Sequence, residues 1–184
     1  NEVEYQRFLE ESNTKSLLVC DHIAGEMGIS LNAIAGLIRK HNPEFVVIDG
    51  VYLISVSQGS KQAWEQSHML FYGLKNLATS TNTPILVSTQ ANRDASSMYR
   101  PPKANEVAFG DALIRASDVA ISMCKVKDAE DKRLVQFQKY RDGYLHKDLT
   151  AMQWDINYGD IKELEDYPVE IPNDMEGFTN NQNF

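Results

Sequence analysis

The sequence predicts an α/β domain with a mostly parallel sheet and a C-terminal antiparallel hairpin. Short, continuous apolar runs are the first observation, and such runs are typical of strands covered on both faces of a sheet. They alternate with segments whose apolar residues recur every three or four positions, as in amphipathic helices. Two further strand-like runs flank a charged segment near the C-terminus. Strands and helices in this order favour right-handed βαβ units, which build parallel sheets.

The first third of the pattern contains two strand-like runs and one helix. Residues 16–20 form a short apolar run that predicts a buried strand. A helix is expected to begin after Ser30, a favourable N-cap, and to end in basic residues before Pro43. Residues 45–48, Phe-Val-Val-Ile, then predict a central parallel strand covered on both faces.

The middle third of the chain continues the alternation of helices and strands, and a long segment without periodicity then follows. Residues 63–80 predict an amphipathic helix, and residues 84–88 predict the next buried strand. Residues 91–110 show little periodicity and predict a long loop, which in a compact domain is usually functional or disordered. A short helix is expected at residues 111–117.

The last third predicts a hairpin and a tail. The runs 119–124 and 134–140 flank a charged turn at 127–133, and residues 149–154 predict an edge strand. Further on the composition becomes acidic and rich in Asn and Pro. We therefore expect one domain over residues 1–157 and a disordered acidic tail over 158–184.

Charge is unevenly distributed along the chain. The net charge of −8 over 184 residues argues against a nucleic-acid partner, because phosphate binding depends on Lys and Arg. However, eight acidic side chains lie between residues 155 and 184, against one lysine, Lys162. Residues 1–154 are therefore close to neutral and can carry a local basic strip.

Cysteine usage and hydropathy predict a cytoplasmic protein, in the host cytoplasm if its source is viral. Cys20 and Cys124 lie far apart in apolar runs, which suits buried thiols better than a disulfide or a metal site. No apolar stretch approaches the length of a membrane span, and no signal peptide opens the chain, so no membrane partner is expected. The chain begins without Met in a helix-like run, from which we expect an upstream segment.

Two polar residues follow the predicted central strands. Asp49 closes the run at 45–48, and Gln90 follows the run at 84–88. Ligands of open α/β sheets bind at this edge, where an Asp can hold Mg²⁺ and a Gln can hydrogen-bond a γ-phosphate or its attacking water. One intervening helix favours neighbouring strands. A turn residue at Asp49 and a solvent-facing Gln90 are the alternatives.

Lys139 and Arg141 are the candidate residues at the end of the hairpin. Side chains two apart share one face of a strand, so both are expected to point the same way, continuing the parity of Val135 and Phe137. Two such cations could reach the phosphates of a nucleotide in a neighbouring subunit. Pairing with acids, or exposure to water, is the alternative.

Together these segments resemble the C-terminal ATPase of DnaB-type hexameric replicative helicases over roughly residues 16–155. The motifs that carry the resemblance are, in order, FVVIDGVYLI, PILVSTQANR, GDALIRASDVAI and KYRDG. The resemblance implies a RecA-like P-loop NTPase core, a homo-oligomeric ring, ATP with Mg²⁺, and single-stranded DNA as partner, with primase or other replication proteins. It implies Asp49 as the Walker B ligand of Mg²⁺, Gln90 as γ-phosphate sensor, and Lys139 and Arg141 acting in trans.

The resemblance also assigns two DNA-facing loops, residues 55–62 and 92–111. Their candidate DNA-binding residues are Lys61, Arg93, Arg100, Lys103 and Gly110. A solvated basic face is the alternative for the four cations. Two departures are clear: the 184 residues contain no GxxxxGK[ST] loop, and the family's catalytic Glu has no counterpart.

The sequence therefore predicts an ATP-dependent, 5′-3′ replicative DNA helicase motor, present as its C-terminal portion and inactive alone. Two alternatives remain open. One is a RecA- or RadA-type recombinase, which shares the strand-Asp and strand-Gln pattern. The other is a degenerate RecA-like scaffold without catalysis, because the phosphate-binding loop is absent from these residues.

Overall fold

The structure is a computed structural model, which describes residues 17–20, 29–55, 63–92, 99–107, 110–143 and 149–165. Three helices and six strands are found in these residues. The helices are α1 (Leu31–His41), α2 (Ala63–Thr81) and α3 (Gly110–Ala116). The strands are β1 (Val46–Ile48), β2 (Ile85–Val87), β3 (Val119–Val126), β4 (Ala129–Tyr140), β5 (Thr150–Asp155) and β6 (Asp160–Glu163). One-turn 3₁₀ helices occupy Val51–Leu53 and Ala104–Glu106.

Helix α1 is bounded by local signals at both ends. The side chain of Ser30 accepts a hydrogen bond from the backbone N–H of Ala33 at 3.1 Å, as an N-cap does. At the other end Asn42 adopts a left-handed conformation with φ 45°, and its N–H donates to the carbonyl of Ile38 at 2.8 Å. The predicted helix is confirmed.

Strands β1 and β2 form a parallel pair that is connected through α2. Val46 pairs with Ile85 and Ile48 pairs with Val87, so both strands end at the same level. The predicted parallel arrangement of these two runs is confirmed.

All three helices contribute to one apolar core, which lies on a single face of the β1–β2 pair. The buried core side chains are Ile34, Ile38, Val51, Ile54, Leu70, Phe71, Leu74, Leu77 and Ala116. Val46 and Ile48 pack against this core, whereas Val47 and Leu86 point away and are 61% and 55% exposed. Within the described residues, helices cover one face of β1 and leave the other face exposed. The expectation that β1 is covered on both faces is therefore wrong for this part of the chain.

The second sheet is antiparallel, in the order β3-β4-β5-β6. The predicted hairpin is confirmed, but its turn is limited to Lys127 and Asp128, where Asp128 has φ 58°. Strand β5 is an inner strand rather than the expected edge strand, because β6 pairs with its outer side. Residues 160–163 thus belong to the sheet, and the expected start of the tail at 158 is corrected. Residues 166–184 lie outside the described part of the chain.

A β-bulge interrupts the pairing of β3 with β4. Lys139 pairs with Ala120, but Phe137 pairs with Ile121, so Gln138 is an extra residue in β4. Partners across a ladder share a face, and neighbouring residues of β3 alternate between faces. Lys139 therefore lies on the face opposite to Phe137, and the expected continuation of parity is wrong.

Two further expectations concern the N-terminal run and the cysteines. Residues 17–20 belong to no strand, and Leu17, Val19 and Cys20 are exposed, so the expected buried strand is not formed by these residues. Neither Cys20 nor Cys124 is in a disulfide. Partial burial raises the pKa of Cys124 to about 11. The described helices lack the apolar length that crossing a membrane would require.

Candidate functional site

The C-terminal ends of β1 and β2 bring together Asp49, Ser88 and Gln90, which we call the strand-end cluster. Because Ile48 pairs with Val87, Asp49 and Ser88 occupy equivalent positions just beyond the two strands. The hydroxyl of Ser88 donates a hydrogen bond of 2.5 Å to Oδ1 of Asp49. The predicted adjacency of Asp49 and Gln90 follows from the same parallel pairing.

Backbone hydrogen bonds hold the strand-end cluster in place. Ser88 Oγ accepts from the N–H of Gly50 at 2.9 Å, and the Ser88 carbonyl accepts from the N–H of Val51 at 3.0 Å. Gly50 has φ 87°, a conformation that side chains with a Cβ rarely adopt. The chain can thus turn sharply after Asp49 and enter the 3₁₀ helix.

Gln90 lies beyond the C-terminal end of β2, and its side chain is exposed. Its amide Nε2 donates to the hydroxyl of Tyr52 at 3.3 Å, a long and weak hydrogen bond. The next residue, Ala91, is joined to Val107 by an isolated antiparallel bridge, so the loop that follows returns to this end of the sheet.

The donor atoms of the strand-end cluster suit a hard cation such as Mg²⁺. Mg²⁺ prefers oxygen ligands, keeps several waters, and is often held by one or two carboxylates together with substrate phosphates. The Asp49 carboxylate is an oxygen ligand of this kind, and the Ser88 hydroxyl orients it through its hydrogen bond to Oδ1. Within the described residues no group of three or more His, Cys, Asp or Glu side chains is placed to hold a metal ion.

Lys139 and Arg141 meet at the C-terminal end of α3. Lys139 Nζ donates to the carbonyls of Ile114 at 2.6 Å and Arg115 at 3.1 Å. Arg141 Nη2 donates to the carbonyls of Arg115 at 3.0 Å and Ser117 at 3.3 Å. Both cations thus satisfy carbonyls that a helix end leaves unpaired, and they complement the negative end of its dipole.

Asp118 completes this group, which we call the cationic cluster: Lys75, Lys139, Arg141 and Asp118. The Asp118 carboxylate contacts Lys75 Nζ of α2 through Oδ2 and Arg141 Nη1 through Oδ1, the latter at 3.1 Å. The hydrogen bond from Lys75 is the main cause that lowers the pKa of Asp118, with the charge of Arg141 adding to it. Burial, followed by the neighbouring charge of Arg141, lowers the pKa of Lys139.

Arg100 is placed differently from the expectation of an exposed DNA contact. Its side chain is buried, and its guanidinium forms a bidentate pair with Glu106 at 2.6 and 2.5 Å. The hydrogen bond from Arg100 is the main reason that the pKa of Glu106 falls to about 2. Because Arg100 is buried and its charge is paired with Glu106, the expectation of a DNA contact is corrected: Arg100 holds the loop together. Asn92 N–H also donates to the Glu106 carbonyl, at 2.8 Å.

The remaining candidate DNA residues are only partly described. Lys103 is half-buried at the start of the 3₁₀ helix, and Gly110 is the first residue of α3. Lys61 and Arg93 lie outside the described residues. The sequence reasoning missed Ser88, Lys75 and Asp118. Ser88 could have been found by aligning the ends of the two strand-like runs, whereas the Lys75–Asp118 contact spans 43 positions and has no local signal.

Comparison with known proteins identifies the fold. Neither a model of a protein family nor a curated protein matches the sequence. Solved structures do match: one solved ATPase domain superposes with a TM-score of 0.64 at 20% identity, over 75% of this chain and 52% of that one. A DnaB-like replicative helicase, solved in a study of its interactions with primase, superposes with a TM-score of 0.73 at 18% identity, over 87% of this chain and 40% of that one. The chain has the fold of a DnaB-like helicase ATPase domain.

The DnaB-like fold confirms the predicted architecture, a RecA-like α/β core with a parallel sheet and an antiparallel one. The chain spans about half of the first solved structure and two fifths of the second. Identities near 20% show the fold alone.

Proposed function

We propose that this chain is the C-terminal portion of an ATP-dependent, DnaB-type replicative DNA helicase that moves 5′-3′ on single-stranded DNA. The observation that carries the proposal is the parallel pairing of β1 with β2, which places Asp49, Ser88 and Gln90 at one sheet edge in a DnaB-like fold. Ligands of open α/β sheets bind at this edge. An upstream segment would supply the phosphate-binding loop, since the 184 residues contain none.

The chemistry assigned to the strand-end cluster follows from its donors and acceptors. Mg²⁺, when bound, neutralises charge on the phosphates of ATP. Asp49 would hold it, with Ser88 orienting the carboxylate through the 2.5 Å hydrogen bond. Gln90 would leave Tyr52 and bind the γ-phosphate or the attacking water. Because Ala91 is bridged to Val107, a change at Gln90 would reach the loop proposed to contact DNA.

Lys139 and Arg141 have different roles in this proposal. Lys139 is half-buried and holds two carbonyls of α3, so its main part is to fix the end of that helix. Arg141 has a side chain that is 41% exposed, and it is the residue proposed to reach a nucleotide in the neighbouring subunit of a hexameric ring. There its guanidinium would stabilise charge on the transferred phosphoryl group.

Single-stranded DNA is proposed to contact the loops at residues 55–62 and 92–111. Lys61, Arg93 and Lys103 are the cations retained for phosphate contacts, with Gly110 at the end of the second loop; Arg100 is not, because it is enclosed by Glu106. Primase is a further proposed partner, by likeness to the DnaB-like helicase whose interactions with primase were described.

The proposal is tested by mixing two inactive variants of the complete polypeptide that contains this chain. Asp49→Asn subunits lose their own site but keep Arg141, and Arg141→Gln subunits keep their site but lose the residue acting in trans. Each variant alone should lack DNA-stimulated ATPase activity. A one-to-one mixture should recover about a quarter of the wild-type rate, because half of the sites are intact and half of those face an intact Arg141.

Other outcomes would point to other functions. No recovery on mixing, or full activity of Arg141→Gln alone, would contradict action in trans. Growth of filaments on single-stranded DNA without unwinding of a forked duplex would favour a recombinase. If the complete polypeptide bound no ATP in the presence of Mg²⁺, it would be a scaffold without catalysis.

A further inference from the structure

Asp118 joins three elements at the cationic cluster. It follows α3 at the start of β3, and its two carboxylate oxygens contact Lys75 of α2 and Arg141 beyond β4. Its backbone carbonyl also accepts from the N–H of Arg141 at 2.9 Å. Asp118 therefore contacts Arg141 through both its backbone and its side chain. Lys75 contacts the other oxygen of the Asp118 carboxylate and so limits the rotation of that group.

These contacts orient the Arg141 guanidinium without occupying all of its N–H donors. The side chain makes three polar contacts within the described residues, to Asp118, Arg115 and Ser117. A guanidinium has five N–H donors in a rigid fork, so two remain for a ligand. The exposed fraction of 41% shows that solvent reaches the group.

The charge balance of the cluster favours an incoming anion. Lys75, Lys139 and Arg141 surround a single carboxylate, so the cluster is cationic overall. An aspartate carboxylate is ionised at neutral pH, where Asp118 can orient Arg141; the hydrogen bond from Lys75 lowers its pKa further. One carboxylate is enough to fix the guanidinium but leaves net positive charge for phosphate oxygens.

We propose that Asp118 is the positioning residue of Arg141, and that Lys75 holds the second carboxylate oxygen so that the guanidinium faces the neighbouring nucleotide. This inference rests on the proposed function, in which Arg141 acts in trans. Asp118 itself touches no phosphate in this proposal.

The test measures steady-state ATPase kinetics of the complete polypeptide with single-stranded DNA. Asp118→Asn should lower kcat roughly 10- to 100-fold, with KM changed less than about 3-fold, because an interaction of the transition state alone is lost. Asp118→Glu should recover part of kcat. Lys75→Gln should lower kcat less than Asp118→Asn does. Asp142→Asn is the matched control, since this exposed carboxylate directly follows Arg141, and its rate should equal the wild-type rate.

A double-mutant cycle separates positioning from a merely structural role. If Asp118 acts through Arg141, adding Asp118→Asn to Arg141→Gln should lower the residual rate of ATP hydrolysis without DNA no further. An additive loss would overturn the inference, and so would an unchanged kcat in Asp118→Asn while Arg141→Gln is inactive. If instead Arg141→Gln retained the wild-type rate, the proposed function would fail first, and the inference with it.

Discussion

The hydroxyl of Ser88 bridges two strands, because it donates to the carboxylate of Asp49 at 2.5 Å while accepting from the N–H of Gly50 at 2.9 Å. One side chain thus ties the orientation of the candidate metal ligand to the turn that follows β1. Sequence reasoning identified Asp49 but not this partner, which lies 39 positions away.

Ser88→Ala should weaken both the fold and the binding of Mg²⁺. It leaves the Gly50 N–H without its hydroxyl partner, so the free energy of unfolding should fall by about 1–2 kcal/mol. In the complete polypeptide, the Mg²⁺ concentration for half-maximal ATPase activity should rise roughly 10-fold, as for other residues that orient metal ligands. Ser80→Ala is the control, because it removes a hydroxyl bond within α2. Equal Mg²⁺ dependence in both variants would contradict the assignment.

The Arg100–Glu106 pair should make stability depend on acid pH. Since Arg100 lowers the pKa of Glu106 from 4.5 to about 2, the stabilisation is fully present above pH 4.5 and is lost as the pH falls towards 2. It amounts to about 3 kcal/mol as an upper bound. Urea unfolding of residues 1–184 between pH 2.5 and 7 should show that Glu106→Gln flattens this part of the profile. Glu44→Gln, at an exposed site, should keep the wild-type slope.

Deleting Gln138 should remove the bulge but leave Lys139 on the face of β4 that points towards α3. In the deletion variant Lys139 directly follows Phe137, and neighbouring residues of a strand lie on opposite faces, so Lys139 should keep the carbonyls of Ile114 and Arg115. The free energy of unfolding should fall by about 1–3 kcal/mol, because the side-chain hydrogen bonds of Gln138 are lost. NMR contacts between the side chains of Lys139 and Ile114 report the face on which Lys139 lies. Gln138→Ala keeps the number of residues and should also keep those contacts, and their loss in the deletion variant would refute the register.

The two faces of β1 should respond differently to substitution in the isolated chain. Ile48 packs on the core, so Ile48→Ala should lower the free energy of unfolding by about 2 kcal/mol. Val47 is 61% exposed, and Val47→Lys should cost less than about 0.5 kcal/mol. Denaturant titrations of the two variants check this difference, and a large loss for Val47→Lys would mean that this face is covered.

Residues 1–184 alone should hydrolyse ATP no faster than their Asp49→Asn variant. The chain has a candidate metal ligand and a candidate γ-phosphate contact, but it contains no GxxxxGK[ST] loop to cradle the phosphates. Phosphate release at saturating ATP and Mg²⁺ is the measurement. A turnover rate well above that of Asp49→Asn would show that another segment of this chain replaces the loop.

Local signals were sufficient for α1 and for the order of the central elements. Ser30, the helical periodicity and the basic last turn defined α1 almost to the residue. The continuous apolar runs ending in Asp49 and Gln90, separated by one helix, indicated neighbouring parallel strands. The functional roles of Asp49, Gln90, Lys139 and Arg141 remain predictions, because geometry alone does not test them.

The sequence by itself determined which residues enter helices and strands, because caps, periodicity and strand propensity act over a few neighbouring positions. Tertiary structure decided the rest: the partner of Arg100, the bulge at Gln138 that turns Lys139 towards α3, and the pairing of β6 with β5. These features depend on contacts that form an ion pair, cap a helix end, or pair the backbone hydrogen-bonding groups along the outer edge of a strand. Each is stabilised only when the three-dimensional neighbour is in place, so no local pattern reports it.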